Sequence, residues 1–92
     1  MSNYIHFNKA HLNKIADLGQ NQLALKVFMF MCNNMNSSNT IVISMKALTG
    51  IFNVSRQSIS KAIKYLKDND LLYVYKNGTS NIYVINQNVV CF

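Results

Sequence analysis

Between Ser55 and Asp70 the apolar positions Ile59, Ala62, Ile63 and Leu66 recur at i, i+3, i+4 and i+7, the spacing of one helix face. Ser55 precedes the run as an N-cap whose hydroxyl can accept from unpaired first-turn N–H groups. Arg56, Gln57, Ser60, Lys61 and Lys64 lie off the apolar stripe, so the helix has a polar, basic start. The pattern upstream predicts a shorter helix, Met45 to about Phe52, capped by Ser44 and contributing Leu48, Ile51 and Phe52 to the core. Asn53 and Val54 form the turn between the two, with Asn tolerating the left-handed conformation such a turn needs. After Asp70 the pattern changes to strand: Leu71 to Lys76, then Asn77-Gly78 as a hairpin signal, then Asn81 to Ile85.

Earlier in the chain, Tyr4 to Phe7 alternates weakly and reads as a short strand. Asn8 caps a short helix from Lys9 to Leu18, which Gly19 stops. Asn21 caps a second helix, Gln22 to about Met35, which is apolar nearly all round. Such a helix is buried on every side, and so small a domain can hardly cover it alone. Leu25, Phe28, Met29 and Cys32, with the terminal Phe92, are therefore candidates for a homodimer interface. Asn33 to Asn39 is a polar loop, and Thr40 to Ile43 a β-branched strand. Residues 86–92 end in an apolar tail that looks exposed in sequence, and its terminal Phe92 is expected to dock on the second helix, on its own chain or on a partner's.

These elements make one domain over residues 1–92, of α+β class and mainly α: a winged helix-turn-helix with a two-stranded wing. Half of the residues are apolar and only 13% are charged, which favours a hidden surface against a second copy or a larger partner. The net charge of +6 favours a polyanionic partner. Six basic residues against two acids fall between Ser44 and Lys76, over the helix-turn-helix and the wing. That spread argues against a membrane-surface helix. The longest apolar run, Leu23 to Cys32, is broken by Lys26 and too short to span a bilayer.

Catalytic chemistry has no constellation to rest on. Three carboxylates offer no acid–base pair, and Gly19, Gly50 and Gly78 form no phosphate loop. His6, His11, Cys32 and Cys91 lack ligand spacing, so neither metal nor cofactor is expected, and Cys32 and Cys91 read as reduced thiols of a cytoplasmic protein.

The DNA-binding candidates follow from the elements. Arg56 and Gln57 can fork onto base edges, while Ser55, Ser58, Ser60, Lys61 and Lys64 can hold backbone or bases. Lys46 on the preceding helix and Lys76, Asn77 and Thr79 at the wing tip, with Ser80 beside them, flank that surface. Val42-Ile43-Ser44, then Asn53 to Leu66, then a hairpin closing on Ile82-Tyr83-Val84-Ile85-Asn86 resembles the RepL-type plasmid replication proteins. Gln87 stands where that family tends to have Pro. The resemblance implies a sequence-specific double-stranded DNA-binding protein of a plasmid or phage, acting in replication initiation or transcriptional control. The alternative reading is a small winged-helix protein that binds and inhibits a host protein or nucleoprotein complex.

Overall fold

Each of the three helices among the described residues begins where a short polar side chain closes its first turn. The computed structural model describes residues 6–7, 21–78 and 80–91. Helix α1 is Gln22–Asn34, and Asn21 Oδ1 accepts from the Ala24 amide at 3.1 Å. Helix α2 is Met45–Phe52, where Ser44 Oγ accepts from Ala47 N at 3.0 Å. Helix α3 is Arg56–Asp68, where Ser55 Oγ accepts from Ser58 N at 3.1 Å. The strands among the described residues are β1 (His6–Phe7), β2 (Thr40–Ile43), β3 (Leu72–Asn77), β4 (Ser80–Ile85) and β5 (Val90–Cys91), so the described elements run β1-α1-β2-α2-α3-β3-β4-β5. Tyr4, Ile5 and the helix expected from Lys9 to Leu18, with its Asn8 cap and Gly19 stop, lie outside the described residues.

Asn53 ends α2 in the left-handed region, at φ 53° and ψ 48°. A β-branched residue pays more to stand there. Asn53→Val is expected to cost about 1–2 kcal/mol, read as a lower denaturation midpoint, while Asn53→Gly should fold as well as the wild type. Asp70 makes a second left-handed step at φ 58°, between α3 and β3. Asn86 Nδ2 donates to its carbonyl at 2.7 Å and fixes that corner.

Three strands form an antiparallel sheet in the order β2-β4-β3, so the wing hairpin gains a third strand beyond the two expected. Asn77 pairs with Ser80, so Asn77 belongs to the strand and the hairpin turns after it, not at Asn77-Gly78. Gly78 holds φ +65°, which glycine adopts without a Cβ penalty. The return strand accordingly starts one residue earlier, at Ser80. Register decides which way side chains point, and this one puts Lys76 opposite Asn81, on the same face as Val74 and Tyr83.

The core gathers one face of each layer. Ile59, Ala62, Ile63 and Leu66 of α3 are all buried, as the stripe predicts. They meet Ala24, Val27, Phe28 and Met31 of α1, Leu48 of α2, and Leu72, Tyr83 and Ile85 of the sheet. Phe30 and Phe52 add an edge-to-face contact at 5.6 Å between centroids. The single chain leaves part of α1 uncovered, as its apolar pattern implies: Lys26 and Met29 are exposed and Leu25 half-buried. Phe28 and Cys32 are wholly inside the chain's own core, so they are not available to a partner. The exposed-looking tail docks on its own chain. Val89 and Val90 are buried, and β5 pairs antiparallel with β1, a contact across the whole chain that no local pattern announces. Phe92 lies outside the described residues.

Burial pushes the Cys32 thiol up from its ordinary value of 9.0 to about 12. The unfolded chain therefore loses this proton first as pH rises. The stabilisation is whole below about pH 9 and is lost towards pH 12. Denaturation midpoints are expected to fall across that window. At neutral pH, peptide mapping after alkylation should find Cys32 unmodified in the native protein and modified in denaturant.

Candidate nucleic-acid interface

Helix α3 presents three faces. The first is the buried stripe. The second carries Arg56, Ser60, Lys64 and Lys67, successive positions along one side of the helix. This side faces the β3–β4 hairpin across an open groove of about 840 Å³. Val74, Lys76, Gly78, Asn81 and Tyr83 form the hairpin wall, and Ser44, Met45 and Lys46 close the end at the start of α2. The third face, with Gln57 and Lys61, shares Arg56 and Ser60 with the groove and forms a shallower hollow beside it.

Five cations line the groove against one carboxylate. Lys64 Nζ bridges Asp68 Oδ2 at 2.9 Å, with both side chains well exposed to water. An exposed i,i+4 pair of this kind contributes little to stability, so Lys64 can exchange Asp68 for another anion at small cost. Arg56, Lys46, Lys61 and Lys76 are exposed.

The groove floor is held by one polar chain. Asn81 Nδ2 donates to the Tyr83 hydroxyl at 2.9 Å, and that hydroxyl donates to Met45 Sδ at 3.6 Å. Tyr83 is wholly buried, and burial raises its phenol pKa while the Asn81 hydrogen bond lowers it. The link ties the wing to the first residue of α2, so groove width is set by packed side chains and not by loop position.

The structure thus brings together most of the residues singled out in sequence: Lys46, Arg56, Ser60, Lys64 and Lys76 line the groove, with Gln57 and Lys61 on the adjoining face. Ser55 and Ser58 differ. Their hydroxyls lie 3.0 Å apart and serve the cap, so their first role is to start α3. The Asn77 side chain and Thr79 lie outside the described residues. Lys67 was not among the candidates, because residues after Lys64 read as belonging to the core and the approach to the wing. Its spacing from Arg56, Ser60 and Lys64 along one helix side is the signal that finds it.

A family model matches this arrangement almost end to end: the Firmicute plasmid replication protein (RepL) model covers residues 2–91. The chain belongs to the RepL family. Its winged-helix fold is therefore that of a plasmid replication-related protein. No curated protein and no solved structure matches the chain. For this RepL-family chain, no helix among the described residues is long and apolar enough to cross a membrane. Nor do the described residues bring together three side chains able to hold a metal.

Proposed function

We propose that this RepL-family chain binds double-stranded DNA sequence-specifically, as the origin-recognition step of plasmid replication, and that it works by binding rather than catalysis. The observation that carries this reading is the groove between α3 and the wing, where Lys46, Arg56, Lys64, Lys67 and Lys76 converge from three separate elements. A helix about 10–12 Å across fits the roughly 12 Å major groove of B-DNA. With α3 so placed, Arg56 reaches a guanine edge and Gln57 an adenine edge. The lysines meet phosphates on either side. Lys46 and Lys76 bracket the helix and fix its register on the backbone.

Selection of bound duplexes from a random pool at near-physiological salt tests the reading. Enrichment of a defined motif supports it. A palindromic motif adds paired copies on two half-sites about one helical turn apart, and tandem motifs fit an origin. A pool that returns unenriched, from a protein that co-purifies stably with a host factor, overturns it in favour of a host-inhibiting module.

A further inference from the structure

Strand pairing fixes which side chains share a face of the three-stranded sheet. Val42, Ile82 and Tyr75 stand in one row, and Thr40, Val84 and Tyr73 in the next. The alternate residues point the other way: Ile41, Ile43 and Val74 pack against the core, and Tyr83 is wholly buried. The outer face is thus apolar and aromatic, and it is open. Val42 and Tyr75 are 58% exposed and Tyr73 46%. None of its six residues is charged, although the chain carries +6. Apolar residues scattered singly over a surface need no partner, but a contiguous patch rimmed by polar residues marks an interaction site.

Charge distinguishes the possible occupants. A single-stranded nucleic acid stacking on Tyr73 and Tyr75 needs cations to follow its phosphates. This face supplies none, and the sheet's Lys76 points to the opposite side, into the groove. Two copies of a +6 chain repel wherever their basic surfaces meet. On this face they meet without a charge, strand rows against strand rows, in the packing of two sheets about 10 Å apart. A two-fold arrangement makes such a patch its own complement. We infer that a second copy of this chain docks on the outer sheet face. The surface expected on α1 is smaller, since Phe28 and Cys32 are buried and Leu25 is only half-exposed.

The area sets the strength. Tyrosines offer roughly 150–250 Å² each when fully covered, and these two are about half exposed. With the aliphatic neighbours the face contributes on the order of 400 Å² per copy, against about 800 Å² for a stable pair. The pair is therefore weak and forms at high protein concentration. The groove lies on the other side of the same sheet and stays open in the pair, so the inference does not depend on what the groove binds.

Sedimentation equilibrium without nucleic acid tests it, from about 10 μM to about 1 mM protein. The wild-type mass should rise from 10.5 kDa towards twice that value. Tyr75→Lys and Val42→Lys, each with wild-type circular dichroism, should stay monomeric, and Met29→Lys should associate as the wild type does. A wild type that stays monomeric throughout overturns the inference. So does association that Met29→Lys abolishes and Tyr75→Lys leaves intact. A third overturning result is a monomer whose tyrosine fluorescence is quenched by a single-stranded oligonucleotide and not in Tyr75→Ala, which assigns the face to nucleic acid.

Discussion

Replacing Asn39 by Ala is expected to lower stability by about 2–4 kcal/mol, the largest single effect of any polar residue among those described. Asn39 is buried and stands at φ 58° in the loop before β2. Its Nδ2 donates to the Ile85 carbonyl at 3.2 Å and to the Val90 carbonyl at 2.6 Å. Its own carbonyl accepts from Ile85 N at 2.8 Å. One side chain thus holds the end of β4 and the start of β5 together. Ala removes both side-chain donors and leaves buried carbonyls without them. It also places a residue poorly suited to the left-handed region at a position that requires it. Asn39→Gly loses the same bonds but not the backbone fit, so it should be about 1 kcal/mol less damaging. Chemical denaturation of the three proteins reads both terms separately. For a domain this size the Ala variant should melt roughly 10–25 °C below the wild type. Equal stability of Ala and wild type would remove Asn39 as the clasp.

Arg56→Ala is expected to weaken duplex binding about 10–100-fold and to relax preference at the base it reads. Lys67→Ala and Lys76→Ala should behave differently. Each should weaken all sequences alike and flatten the dependence of log K on log salt by about one unit. Four lysines on phosphates give a wild-type slope of roughly −3.6. Asp68→Asn supplies the opposite sign: it removes the anion that holds Lys64 and should tighten binding at low salt. Titrations against the selected site and a scrambled duplex, at several salt concentrations, separate the two classes. If Arg56→Ala and Lys76→Ala bind as the wild type does, the groove is not the DNA surface.

What could be read in the sequence was local. The Asn21, Ser44 and Ser55 caps, the left-handed Asn53 and the α3 stripe each rest on residues a few positions apart, and the structure has them where the pattern puts them. The errors came from contacts between distant parts. The hairpin loop slipped by one residue because Asn-Gly is a strong local signal, whereas register is settled by the pairing of β4 with both β2 and β3. The tail looked exposed because its partner, β1, lies at the other end of the chain. Which apolar residues of helix α1 the chain buries (Ala24, Val27, Phe28, Met31 and Cys32) and which it leaves open (Met29) was not legible, because the strands and α3 packed on it are scattered in sequence. Of the groove, Arg56 and Lys64 on α3, Lys46 on α2 and Lys76 on the wing were legible, and Lys67 was missed. The link across the far wall was not legible, because Tyr83 reads as an ordinary strand residue until the fold brings its hydroxyl to Met45.

Amide chemical-shift mapping on adding a short duplex at low salt tests the central claim most directly, since non-specific binding at about 10⁻⁴–10⁻⁶ M suffices to locate the surface. The account predicts shifts concentrated at Lys46, at Arg56 to Lys67 on the sides of α3 away from the core, and on Lys76 to Asn81 of the wing, with Val42 and Met29 unmoved. Shifts centred on the outer sheet face or on α1, with the groove silent, would contradict it.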